Sequence, residues 1–228
     1  AQDHTTGKYN VMFGHKAGRC FTTGCCNVVM GVCAFGADHS ADATGNDNVI
    51  LGSKSGRTIT SASRNVLVGK EAGANVTTGN DNIVIGNCVG MGVTTSSSDI
   101  IIGNKTMGNS AKSSGKNILI GEEAGYNHIF ANMIAIGLKA SYSMNQTYGW
   151  NSVIIGNCAG YCSVNGQLNT YVGRDAGKCA TGGTYNAYFG QSAGLCATGN
   201  SNTMIGACAG RCFRAGGGNV FVGKYAAI

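Results

Sequence analysis

The chain contains no proline, and only 11% of its residues are charged. A backbone whose N–H groups nearly all join hydrogen-bonded ladders tolerates little proline, so its absence fits a sheet-rich chain. Aromatic residues make up 7%, with one tryptophan. The formal charge of +6 comes from lysines and arginines spread along the chain without a basic block. Aromatics do not interleave with them at base-stacking spacing, which argues against a nucleic-acid partner. No apolar run approaches the ~18 residues of a membrane-spanning helix, and no membrane span is expected. Helical periodicity is missing too, so glycines such as Gly149 read as turn residues and not as a phosphate loop. No Ser-His-Asp or Cys-His arrangement can be assembled, and the chain is not expected to be an enzyme or to carry a cofactor.

Glycine is abundant, at 38 of 228 residues. It follows no three-residue period, which excludes collagen. Instead, thirteen glycines recur behind a short apolar run at intervals of 16 to 21 residues, most often 17, from Gly14 to Gly223. The unit is Asn, three apolar residues, Gly, two variable residues, Ala, Gly and a polar turn. Asn65-Val-Leu-Val-Gly69-Lys-Glu-Ala-Gly73 and Asn117-Ile-Leu-Ile-Gly121-Glu-Glu-Ala-Gly125 show it cleanly. A fixed period of this length marks stacked units, not a domain with one central core.

Three apolar residues are too few for a helix and suit a short strand. The glycine permits a tight bend, the Ala-Gly pair marks a second corner, and Thr78-Gly-Asn-Asp is turn chemistry. Each repeat has room for two short strands and two turns. Stacked about 4.8 Å apart, the repeats predict an all-β parallel solenoid, or β-roll, of about thirteen coils. Residues 1–9 read as a lead-in and residues 10–228 as a single repeat domain. With neither initiator Met nor a signal pattern at Ala1-Gln-Asp-His-Thr-Thr, the chain reads as a mature or excised piece.

Both faces of each strand are apolar. Counting from the glycine, the residues just before it, Phe13 and Met30 through Val222, are expected inside the coil. The residues one position earlier are then expected outside: Met12, Val29, Ile50, Leu67, Val84, Ile101, Leu119, Ala135, Ile154, Tyr171, Tyr188, Met204 and Phe221. Strands apolar on both faces are buried on both faces, and a lone solenoid would expose an unbroken apolar stripe. The expected partner is therefore another copy of the chain, and a three-fold arrangement lets three stripes share one axis.

The repeated unit resembles two groups of trimeric fibre proteins. Asn151-Ser-Val-Ile-Ile-Gly156 is similar to the coil motif in the head of YadA-type trimeric autotransporter adhesins, a left-handed parallel β-roll. Thr78-Gly-Asn-Asp-Asn-Ile-Val-Ile-Gly86 and Thr198-Gly-Asn-Ser-Asn-Thr-Met-Ile-Gly206 resemble the seventeen-residue units of phage and bacterial fibres that carry an endosialidase-type intramolecular chaperone. The resemblance runs through nearly the whole chain. It implies a left-handed, trimeric fibre at a cell surface, in the extracellular space or on a virion, serving attachment or display. Ends without an evident cap leave head-to-tail stacking into a filament as an alternative.

Eleven cysteines favour an oxidising setting and disulfide staples. Cys33, Cys88, Cys158 and Cys208 follow the motif glycine by two residues; Cys20, Cys162, Cys179, Cys196 and Cys212 follow it by six. The spacing permits Cys158–Cys162 and Cys208–Cys212 across the Ala-Gly corner, and Cys179–Cys196 between coils. Cys20 could pair with Cys25 or Cys26, with Cys88 left isolated. Reduced buried thiols are the alternative. No metal is expected, because His4, His15, His39 and His128 do not recur beside the cysteines.

An adhesin module contacting a host glycan or surface is the alternative function, with Tyr142, Tyr148 and Trp150 as the aromatic patch. A lesser alternative is ice binding by Thr23, Thr44, Thr78, Thr95 and Thr198, a column interrupted by Ile129, Tyr148 and Asn165. The stretches Asn46 to Asn48 and Asn80 to Asn82 lack a calcium-solenoid pattern and read as side-chain caps of turns. Glu71, Glu122, Glu123 and Asp175 alternate with Lys16, Lys54, Lys105 and Lys139, which reads as a solvated face.

Overall fold

The computed structural model describes residues 6–36, 42–108, 112–113, 115–127, 129–143, 151–164, 166–214 and 216–227. Where the sequence suggests one repeat domain, the chain divides into two compact units, Ala1–Lys116 and Asn117–Ile228. Each is a parallel β-solenoid.

In the first unit, six three-residue strands pair in parallel in chain order: β1 (Val11–Phe13), β2 (Val28–Met30), β3 (Val49–Leu51), β4 (Val66–Val68), β5 (Ile83–Ile85) and β6 (Ile100–Ile102). A two-residue strand, β7 (Lys112–Ser113), follows. The second unit has seven such rungs: β8 (Ile118–Ile120), β10 (Ile134–Ile136), β11 (Val153–Ile155), β12 (Thr170–Val172), β13 (Ala187–Phe189), β14 (Thr203–Ile205) and β15 (Val220–Val222). The short β9 (Ile129–Phe130) lies between β8 and β10 in the chain. Register is strict: Val11 pairs with Val28 and Thr203 with Val220, each at the same position in its repeat. The second strand expected in each repeat shrinks to isolated bridges such as Phe21–Ala43 and Thr181–Thr198.

Local chemistry explains the turn after each strand. In the first unit, the Ala17 N–H donates to the Gly14 carbonyl at 3.2 Å, closing a turn whose third residue, Lys16, has φ +56°. That corner falls on Lys16, Cys33, Lys54, Glu71, Cys88 and Lys105, with φ from 50° to 58°. Left-handed geometry costs a non-glycine residue roughly 1–2 kcal/mol. A bond between rungs offsets it, since the Glu71 N–H donates to the Ser53 carbonyl at 2.9 Å and the Cys88 N–H to the Lys70 carbonyl at 2.9 Å. The motif glycines are required for a different reason. A Cβ on Gly14 would lie 2.6 Å from the carbonyl oxygen of Gly31 on the next rung.

The residue before each strand sets which side faces in. Asn27, Asn48, Asn65 and Asn82 are buried. Each Oδ1 accepts the backbone N–H of its counterpart one rung on, at 2.9 to 3.0 Å. Their Nδ2 groups donate to the carbonyls of Gly45, Ala62, Gly79 and Ser96. Asn169, Asn186 and Asn202 repeat the ladder in the second unit, through bonds of 2.8 to 3.1 Å. With Asn inside and side chains alternating along a strand, the middle strand residue must also be inside.

This reverses the expected orientation. Val29, Ile50, Leu67, Val84 and Ile101 in the first unit are fully buried, as are Leu119, Ala135, Ile154, Tyr171, Tyr188 and Met204 in the second. Met12 and Phe221, on the terminal rungs, are half-buried. These thirteen residues, expected outside, form the core. A one-residue error in strand parity exchanges the two faces completely, and the glycine was the wrong reference point.

Candidate interface on the strand ladders

The residues that do face outward are the first and third of every strand. In the first unit they run from Val11 and Phe13 to Ile100 and Ile102, all of them aliphatic, Met or Phe. In the second they run from Ile118 and Ile120 to Val220 and Val222, with Thr170, Ala187 and Thr203 as the small interruptions. None is charged. Met30 is 45% exposed, Ile83 37%, Phe189 40% and Ile205 42%. Each unit thus presents two parallel apolar columns instead of the single one expected. The cause is geometric: three-residue strands with a buried centre send two side chains out per rung. A signal for this was present in the sequence, in the Asn that precedes the apolar triplets.

Several ion pairs form at the corners and turns beside these columns. Lys54 Nζ lies 3.9 Å from Glu71, Lys139 Nζ 3.6 Å from Glu123, and Lys178 Nζ 3.0 Å from Asp175. Arg64 clasps Asp81 one rung on through two bonds of 2.6 and 2.9 Å, which holds the Asp81 carboxyl below its ordinary range. These exposed pairs contribute little individually, and no acid–base pair is assembled among them. Among the described residues, no group of three or more His, Cys, Asp or Glu is placed to hold a metal ion, and no helix is long and apolar enough to cross a membrane.

The disulfide candidates Cys20, Cys25, Cys26, Cys158, Cys162, Cys179, Cys196, Cys208 and Cys212 are all thiols in this structure, as are Cys33 and Cys88. The Cys88 Sγ lies 3.6 Å from Glu71 Oε2. Cys162, Cys179, Cys196 and Cys212 stack on successive rungs. Cys179 stands between Cys162 and Cys196 in the backbone ladder, and burial pushes its thiol up to about 11. Cys212 follows Cys196 in the same register, and the Cys196 thiol is also pushed up by burial.

Of the aromatic patch, Tyr148 and Trp150 lie outside the described residues. The Tyr142 ring is sandwiched between Tyr126 and Tyr161, with centroids 5.4 and 4.9 Å away and planes within 5°. A sugar stacks on an aromatic face, and both faces of this ring are taken. Lys139 Nζ sits 5.6 Å from its centre. None of Thr23, Thr44, Thr78, Thr95 and Thr198 lies in a strand. The asparagines of Asn46 to Asn48 and Asn80 to Asn82 bind backbone: Asn46 Oδ1 accepts from the Cys25 N–H at 2.8 Å, and Asn80 Oδ1 from the Ser63 N–H at 2.7 Å.

No protein-family model, curated protein or solved structure matches the chain.

Proposed function

We propose that the chain is a structural fibre protein, an oligomeric β-solenoid whose subunits associate along the outward columns of their strands. The observation that carries this reading is the pair of uncharged columns on each unit, apolar throughout the first and broken in one column of the second by Thr170, Ala187 and Thr203. Patches of this kind mark interaction surfaces. A partner that matches six or seven consecutive rungs must itself repeat at the rung spacing of about 4.8 Å, and another copy of the chain does so. Three copies around one axis would cover both columns of each. The resemblance to trimeric fibres supports the same stoichiometry, a left-handed coil, and a place on a cell surface, in the extracellular medium or on a virion.

The mechanism is mechanical. Backbone and asparagine ladders supply stiffness along each unit, and the apolar columns hold the subunits together. The test is sedimentation and light scattering of the purified chain at micromolar concentration. The expected species has three times the 23.2 kDa subunit mass. A folded, soluble species of one subunit mass would overturn the proposal. Ile83→Lys with Ile85→Lys, both on the outer face, should lower the mass to one subunit while leaving the β-sheet circular dichroism intact. Leu67→Lys, inside the coil, should instead unfold the chain.

A further inference from the structure

We infer that Cys162, Cys179, Cys196 and Cys212 form a thiol column that closes under oxidising conditions into two disulfides between rungs, Cys162–Cys179 and Cys196–Cys212. All four belong to the second unit and sit at the same place in consecutive repeats. Their backbones are locked in register: the Cys162 N–H donates to the Lys178 carbonyl at 2.7 Å, the Cys179 N–H to the Leu195 carbonyl at 2.7 Å, and the Cys196 N–H to the Arg211 carbonyl at 2.8 Å. Each acceptor immediately precedes the next cysteine. The Cα atoms are therefore about one rung spacing apart, within the 4.4–6.8 Å range of bridged cysteines. Each of the two middle cysteines, Cys179 and Cys196, therefore has another cysteine one rung away on either side.

The backbone bonds that set these four cysteines side by side run along the ladder and not around the corner. Cys158, four residues before Cys162, stands on a left-handed turn position with φ +54° and interacts with Lys178. The column ends on one side at Ser143, whose N–H donates to the Tyr161 carbonyl at 2.8 Å where the next rung carries Cys162. It ends on the other side at Cys212, which is exposed.

That asymmetry of access orders the chemistry. The thiolate is the nucleophile, and burial keeps the two middle thiols protonated, so reaction with a small-molecule disulfide starts at Cys212. The Cys212 thiolate attacks one sulfur of the reagent; the reagent's S–S bond breaks, and its first thiolate departs. Cys196 then loses its proton to water and attacks the Cys212 sulfur, expelling the second thiolate. Two cysteine thiols are oxidised and one reagent disulfide is reduced to two thiols. Once Cys196 is engaged, Cys162 is the one ladder neighbour of Cys179 left as a thiol, and the same exchange, with a second reagent disulfide reduced to two thiols, joins them. A first bridge at Cys179–Cys196 would instead strand both outer thiols.

The experiment uses the whole chain incubated with oxidised glutathione. Alkylation, digestion with trypsin and chymotrypsin, and mass spectrometry without reduction follow. Cleavage after Tyr161 separates Cys158 from Cys162, and cleavage after Leu195 separates Cys179 from Cys196. The expected cross-linked peptides join Cys162 to Cys179 and Cys196 to Cys212. A Cys158–Cys162, Cys208–Cys212 or Cys179–Cys196 link as the main product would overturn the inference, and so would alkylation of all four thiols. In Cys196→Ser, with its fold checked by circular dichroism, the Cys162–Cys179 bridge should still form and Cys212 should make no bridge within the chain. A Cys208–Cys212 link in that variant would also refute the pairing.

Discussion

Tyr171 and Tyr188 stack inside the second unit with ring centroids 4.9 Å apart, both buried. A Cβ on Gly177 would lie 2.6 Å from the Tyr171 ring, so glycine there makes room for it. Tyr171 is hydrogen-bonded to Ser163. The Tyr188 hydroxyl is buried with no hydrogen-bond partner among the described residues. An unsatisfied buried hydroxyl costs about 1–3 kcal/mol. Tyr188→Phe should thus leave stability unchanged or raise it by about 1 kcal/mol, whereas Tyr171→Phe should lower it; urea titration reads both. Burial holds both phenols neutral well above the ordinary value of 10. As pH rises past 10 the unfolded chain loses these protons first, so stability falls from that point upward. The part of the tyrosinate absorbance that belongs to these two buried rings should appear in one step with the loss of β-sheet circular dichroism, at a higher pH in Tyr188→Phe. At this scale the register of the cysteine columns was legible in the sequence, but their pairing was not. Proximity along the chain suggested Cys158 with Cys162, while the ladder brings Cys162 to Cys179.

The strand and its preceding asparagine form the unit of design. Strand positions and period were legible because an apolar triplet followed by glycine leaves few alternatives. The inside–outside parity was not, since triplets such as Ile100-Ile101-Ile102 are apolar at every position and carry no alternation. The information lay one residue earlier, in a polar side chain whose burial only the ladder explains. Asn65→Ala removes the acceptor of the Asn82 N–H and the donor to the Gly79 carbonyl. It should cost about 1–3 kcal/mol by denaturant unfolding. Asn65→Asp should cost more at neutral pH, because it buries a charge while losing the amide donors. The chain contains its own comparison at Asp99, which occupies the asparagine column and receives a hydrogen bond from Ser96 Oγ at 2.9 Å.

For the whole molecule, stability is close to a sum of rung and neighbour terms, as in other repeat arrays. The β4 and β5 repeats of the first unit have the same length and the same asparagine contacts. Deleting residues 66–82 would join Asn65 directly to Ile83 and preserve every register. The shortened chain should fold with native-like circular dichroism and a similar denaturant midpoint. Deleting one residue fewer, 66–81, leaves two asparagines in tandem and should broaden or lower the transition.

The corner two residues past each motif glycine holds Lys, Cys, Glu, Asp, Ser or Tyr with nearly the same φ. Its backbone is clamped from the neighbouring repeat, so the skeleton does not depend on the side chain it carries. That strip is a blank margin running beside the apolar columns, on which selection can rewrite surface charge or reactivity letter by letter without disturbing the scaffold beneath.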